Sequence, residues 1–248
     1  MLMDVLTLDI KGTVLAVVIA LIMLYFGGPS YGPLFVLVMV FFLVLSAIAT
    51  GTGKQYKEKR RLYQETRSIK NVLANGLGPL IFAFFYFFTG SYLYILPFLA
   101  SAASVTADKF NSEIGVLDGT PTSIITLKKI KKGESGGVTW LGLLAGLFAA
   151  AVVALFGAVL YLYVITPVGC GGQGVPIPCI LPVTPVHFAL YPLIVAVALG
   201  GAVGSLVDSY FGYFEEKGWG SKYSSNFICS IAGGFASIVI YIIMVGAL

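Results

Sequence analysis

Apolar residues along this chain come in long unbroken runs, without the alternation of a half-buried strand or the three-to-four spacing of a surface helix. The runs fall at about 13–27, 33–51, 71–90, 92–108, 138–166, 187–211 and 225–247. Several reach or approach the roughly 20 residues that a helix needs to cross about 30 Å of hydrocarbon. The pattern predicts an all-α, polytopic bundle of about seven transmembrane helices, with residues 1–248 forming a single domain. The third and fourth runs are parted only by "TGS" at 89–91, a turn tight enough for an antiparallel hairpin. Both are short enough to stand nearly upright or to be partly re-entrant, whereas the fifth is long enough to tilt or project beyond the bilayer. The first run lacks a basic leader and a small-residue cleavage site, so no cleavable signal peptide is expected.

Composition agrees. Of 248 residues, 58% are hydrophobic and 10% charged, with a mean hydropathy of +0.95, far from the balance of soluble domains. The 15 Lys and Arg are unevenly placed. Lys54, Lys57, Lys59, Arg60, Arg61, Arg67 and Lys70 lie between the second and third runs. Lys128, Lys129, Lys131 and Lys132 follow the fourth, and Lys217 and Lys222 follow the sixth. The positive-inside rule puts these three loops in the cytoplasm, giving a cytoplasmic N-terminus and an outside C-terminus in the cell membrane. The net charge of +4 is thus gathered on one face, where it suits anionic headgroups or phosphorylated ligands as well as topology, and nothing points to nucleic acid.

The outward loop at 167–186 is uncharged and rich in Gly and Pro. Cys170 and Cys179 could pair there if the compartment is oxidising. Gly169, Gly171 and Gly174 spell G-x-G-x-x-G, but that motif binds dinucleotides only between a strand and a helix, so it is rejected. His187, the only histidine, reads as an interfacial residue, and Cys229, inside the last run, as packing.

Acidic residues inside apolar runs are costly and usually face a polar cavity or a partner. Asp108 and Glu113 close the fourth run and Asp208 the sixth, and both runs end on the same side. On an ideal helix Asp108 and Glu113 point about 140° apart, so they converge only if the helix breaks near "NSEIG". Gly200, Gly201, Gly204 and Ser205 would let neighbouring backbones approach. If Asp108, Glu113 and Asp208 meet, they offer oxygen ligands for Mg²⁺, which favours one or two carboxylates plus phosphate oxygens. Otherwise each is a solvated or ion-paired helix end. The same face carries "KKGESGGVTWLG" at 131–142, whose Gly136, Gly137 and Thr139 precede a helix and could cradle phosphate. It also carries Arg67, Lys70, Asn71 and Asn75 at the start of the third run, Asn111 beside the acids, and Lys222 and Asn226 at the start of the last. Taken singly, Asn71 and Asn226 read equally as helix caps.

The strings "VLANG", "TADKFNSEIG", "GGVTWLG" and "GSLVDSYFG", with an Asn-initiated last span, resemble the integral-membrane family of plant and cyanobacterial phytyl-phosphate kinases and their archaeal relatives. The likeness covers about residues 60–248. It implies transfer of a phosphoryl group from a nucleoside triphosphate, CTP by expectation, to an isoprenoid monophosphate, with Mg²⁺ held by Asp108, Glu113 and Asp208. It further implies Lys109 as a catalytic cation, with Arg67, Lys70, Asn71, Asn75, Asn111, Gly136, Gly137, Thr139, Ser205, Lys222 and Asn226 contacting nucleotide or phosphate. Lys109, the Glu134-Ser135 pair and Asn71 depart from the family's usual residues. Such chemistry suits a site without histidine, because a phosphate acceptor is already an anion and needs no strong base. A prenyl-alcohol kinase would need a base, for which Glu113 is the candidate, and a cytidylyltransferase would use the same nucleotide. A transporter would place its polar groups near the bilayer midplane, where the sequence offers no ion relay.

Overall fold

The computed structural model describes residues 8–63, 69–165 and 188–246. Its architecture is an all-α polytopic membrane bundle: α1 (Ile10–Gly51), α2 (Lys54–Lys59), α3 (Ile69–Thr89), α4 (Ile95–Gly115), α5 (Trp140–Ile165), α6 (Leu190–Glu215) and α7 (Lys222–Val245). Helix α1 is a hairpin. Gly28 leaves the helical region at φ 61°, ψ −161°, a conformation a side chain would oppose, and Pro29 removes the next amide donor. The two arms fold back, with Ala16 to Met23 facing Val36 to Leu43. The first two predicted spans are thus the arms of one element.

Helices α3 and α4 form the expected hairpin, joined by a short 3₁₀ turn at Tyr92–Tyr94. At 21 residues each they are about 31 Å long, sufficient to cross the bilayer without re-entry. Helix α4 also runs past the predicted end at 108 to Gly115 without a break. Among the described residues, α1, α3, α5, α6 and α7 are long and apolar enough to span by composition alone. Helix α4 is not, because it carries Asp108, Lys109 and Glu113, yet it is the centre of the bundle. It packs against α1, α3, α5, α6 and α7, and every residue from Ile95 to Asp108 is buried. Its neighbours screen it from lipid, so its surface can be small and polar while theirs is apolar.

Close packing follows from that composition. A Cβ on Gly200 would sit 2.8 Å from the Gly233 carbonyl oxygen, one on Gly201 2.8 Å from Ala103 Cβ, and one on Gly204 2.7 Å from the Cys229 carbonyl oxygen. Helices α4, α6 and α7 therefore meet almost backbone to backbone. Three buried hydroxyls stay within their own helices: Ser104 donates to the Ala100 carbonyl at 2.8 Å, Thr106 to Ala102 at 2.7 Å, and Ser237 to Gly234 at 2.7 Å. Between α4 and α5 the chain forms a two-stranded antiparallel ribbon, β1 (Thr122–Ser123) with β2 (Gly137–Val138), a feature absent from the sequence reading. Exposed Trp140 and Trp219 mark one end of the bundle and exposed Tyr25, Tyr163 and Tyr191 the other, as expected of interfacial belts.

Candidate functional site

One turn beyond the Ser104–Gly204 approach, α4 and α6 present Asp108 and Asp208. Each aspartate lies four residues after its packing partner, so the contact that joins the backbones also aims both acids at one spot. Their carboxylates come within hydrogen-bonding reach of one another. Asp108 is buried and Asp208 half-buried. Helix α7 supplies a third wall. The Asn226 side-chain amide lies 3.0 Å from that of Asn75 on α3. Turned with its nitrogen toward the acids, it donates to Asp208 Oδ1 at 3.0 Å and to the Lys222 carbonyl at 2.9 Å. Asn75 and Asn226, distant in sequence, thus bracket the carboxylate pair.

Above the pair lies a cavity of about 350 Å³, with Lys109, Lys222, Arg61 and Lys132 among its walls. The ribbon and its loop form the roof. Gly136, at φ 80°, approaches α6 so closely that a Cβ there would meet the Tyr213 nitrogen at 2.6 Å. The neighbouring Ser135 amide donates to Glu216 Oε1 at 2.8 Å, pinning the loop to α6. Thr139 accepts from the Gly142 amide at 3.1 Å and donates to the Gly115 carbonyl at 3.2 Å, so it caps α5 and ties it to the end of α4. Gly136, Gly137 and Thr139 all line the cavity.

Glu113 borders the same cavity as Asp108 and Asp208, but its oxygens are held by other partners. Because α4 continues unbroken, its carboxylate turns toward α1 and α2, where Lys57 Nζ meets Oε2 at 2.8 Å and Lys109 Nζ meets Oε1 at 2.5 Å. Thr50 adds a longer bond of 3.4 Å. Lys57 is itself buried, and its ammonium also donates to the Thr50 carbonyl at 2.7 Å and the Ala49 carbonyl at 3.3 Å, both in the last turn of α1. Among the described residues no group of three or more Asp, Glu, Cys or His has the spacing of a metal site. The expected grip of three carboxylates therefore reduces, in geometry, to the pair Asp108 and Asp208. Two hard oxygen donors beside a cavity wide enough for phosphates still suit Mg²⁺.

The other expected residues divide clearly. Lys109, Lys222, Asn71, Asn75 and Asn226 gather around Asp108. Asn111 lines the main cavity and donates to Ser205 Oγ at 3.2 Å, which links α4 to α6 beneath the floor. Lys70 stands apart, exposed, its ammonium 5.7 Å from the Tyr223 ring centre. Arg67, His187, Cys170 and Cys179 lie outside the described residues. Cys229 is buried against the α6 backbone, as packing would have it. Lys57, Arg61, Lys132 and Glu215 belong to the site's walls and supports but were not foreseen. Lys132 donates to the Tyr56 hydroxyl at 2.9 Å and to the Val116 and Asp118 carbonyls, closing the exit of α4.

No solved structure matches this chain. It is 30% identical over 236 residues to the uncharacterized membrane protein MJ0933 of Methanocaldococcus jannaschii, covering 94% of this chain and 86% of that protein. It is 37% identical over 111 residues to the protein PGR of Arabidopsis thaliana, covering 44% of this chain and 33% of that one. A family model described as integral membrane protein DUF92 matches residues 2–243, nearly the whole bundle, and the chain is a member of that family.

Proposed function

We propose that the protein is a phosphotransferase that uses a nucleoside triphosphate, CTP by the family resemblance, to convert an isoprenoid monophosphate to the diphosphate at the charged end of the bundle. The observation that carries this reading is the meeting of Asp108 and Asp208 under a roofed cavity with four cationic side chains in its walls. On positive-inside grounds that end faces the cytoplasm, where nucleotide is available. In the reaction an acceptor phosphate oxygen bonds to the donor's terminal phosphorus as the bond to the bridging oxygen breaks, releasing the nucleoside diphosphate. Asp108 and Asp208 would hold Mg²⁺, which when bound neutralises the donor phosphates. Lys109 and Lys222 stand beside the carboxylates and balance charge that spreads over the transferred group. Asn75 and Asn226 fix the carboxylate orientation through the 3.0 Å contact between their amides.

The pairing of Glu113 favours a phosphate acceptor over an alcohol. An alcohol must lose a proton, and both Glu113 oxygens are engaged by lysine ammonium groups, which makes that carboxylate a poor base. Transport gains little support, since Ser104, Thr106 and Ser237 turn their hydroxyls onto their own backbones and the two aspartates lie at one end of the bundle rather than at its middle. The test is direct. Purified protein in detergent is incubated with labelled CTP or ATP, Mg²⁺, and geranylgeranyl monophosphate or geranylgeraniol. Diphosphate formed from the monophosphate alone is expected; product only from the alcohol, or no transfer from any nucleotide, refutes the reading.

A further inference from the structure

Three hollows share walls in a row. The large cavity borders Asp108, Lys109 and Lys222, and so does a smaller pocket of about 20 Å³ that also touches Phe42, Asn71 and Asn75. Those last three residues in turn border a slot of about 190 Å³ between the arms of the α1 hairpin and α3. The slot is apolar along its length, and Thr13, Asn71 and Asn75 are the polar side chains in its lining. Ile19 and Met23 form a buried floor, whereas the rim residues Val17 and Val40 are 53% and 47% exposed. The slot therefore opens sideways, on the surface a membrane bundle turns to lipid. Thr13 and Met23 are ten residues apart, which makes it about 15 Å long, half the hydrocarbon thickness.

We infer that this slot holds the hydrocarbon chain of the isoprenoid acceptor, entered laterally from the bilayer, with Asn71 and Asn75 at its head. Small side chains at Ala16, Ala20 and Gly76 line the slot, whose volume of about 190 Å³ suits one chain better than the two that a phospholipid presents. The polar end of a molecule lying there reaches the Asp108 and Lys222 pocket, which shares those residues with the roofed cavity. Donor and acceptor then reach the carboxylate pair through separate openings, one from the roofed cavity and one from the slot. The identity of the occupant rests on the phosphotransferase reading; the position of the slot does not.

Two measurements separate the two ideas. A geranylgeranyl monophosphate carrying a photoreactive diazirine on its chain is crosslinked to the full-length protein in nanodiscs, and the labelled peptides are mapped. Label within 16–23 and 36–43 that excess unmodified geranylgeranyl monophosphate removes is expected. Labelling of those segments by a diacyl phospholipid probe to the same extent, without such competition, overturns the inference. In parallel, G76L and A20F, which fill the slot from α3 and from α1, are expected to raise KM for geranylgeranyl monophosphate at least about tenfold more than for the shorter geranyl monophosphate. Transfer activity with label elsewhere and unmoved KM ratios discards the slot and leaves the kinase reading. Competed label in the slot with no transfer from any nucleotide discards the kinase reading and keeps an isoprenoid site.

Discussion

The two ends of the bundle are built on opposite principles. At the end containing Asp108 and Asp208, the described Lys and Arg side chains gather with ion pairs, helix caps, a ribbon and glycines in tight backbone contact. At the far end two aromatic groups pack, Tyr25, Phe26, Phe84 and Phe87 in one and Tyr31, Tyr86 and Tyr92 in the other, with ring centres 5.1 to 6.2 Å apart and no charged residue in either. Aromatic packing is tolerant, because each ring pair contributes only about 0.5–1.5 kcal/mol beyond its buried area. The charged end is not, since several helices must hold fixed positions for one pair of oxygens to meet. The proposed chemistry lies where the tolerance is least.

Substitutions at the two ends should therefore differ in kind as well as size. The largest effect is expected from G204L. Its side chain would collide with the Cys229 carbonyl and with Ser104, forcing α4, α6 and α7 apart, and size-exclusion chromatography in detergent should show little monodisperse protein. D208N should leave the helical content and melting temperature close to those of the parent but lower phosphoryl transfer about a thousandfold or more. Activity at the parental level in both D108N and D208N would remove the carboxylate pair from the chemistry. K57M leaves Glu113 with one lysine and strips the end of α1 of its cap. A destabilisation of about 3 kcal/mol, read from a denaturant titration, is expected. At the opposite end, F87L should cost about 1 kcal/mol or less and leave turnover unchanged. A collapse of activity in F87L with the fold intact would break the division between the ends.

The sequence carried much of this arrangement, for identifiable reasons. Spans are legible because hydrocarbon imposes a length, and the break at Gly28 falls between two runs that each resemble a helix. Asp108 and Asp208 stand out because an acid in an apolar run has a cost that needs an explanation. The role of Lys57 was hidden, since it sits in a run of exposed cations where only tertiary contact distinguishes the one whose ammonium turns inward. Glu113 was grouped with the aspartates on condition that the helix break, and α4 does not break before Gly115. The ribbon escaped notice because two-residue strands leave no periodicity to read.

The inverted polarity of α4 also bears on how the chain reaches the bilayer. A segment holding Asp108, Lys109 and Glu113 partitions poorly on its own, each charge costing up to about 2.5–3.5 kcal/mol during insertion. The short connection at 90–94 ties it to a strongly apolar companion, α3, which favours entry of the two as a pair. The central helix thus depends on partners made after it: α5, α6 and α7 cover the small and polar surface that α4 would otherwise turn to lipid.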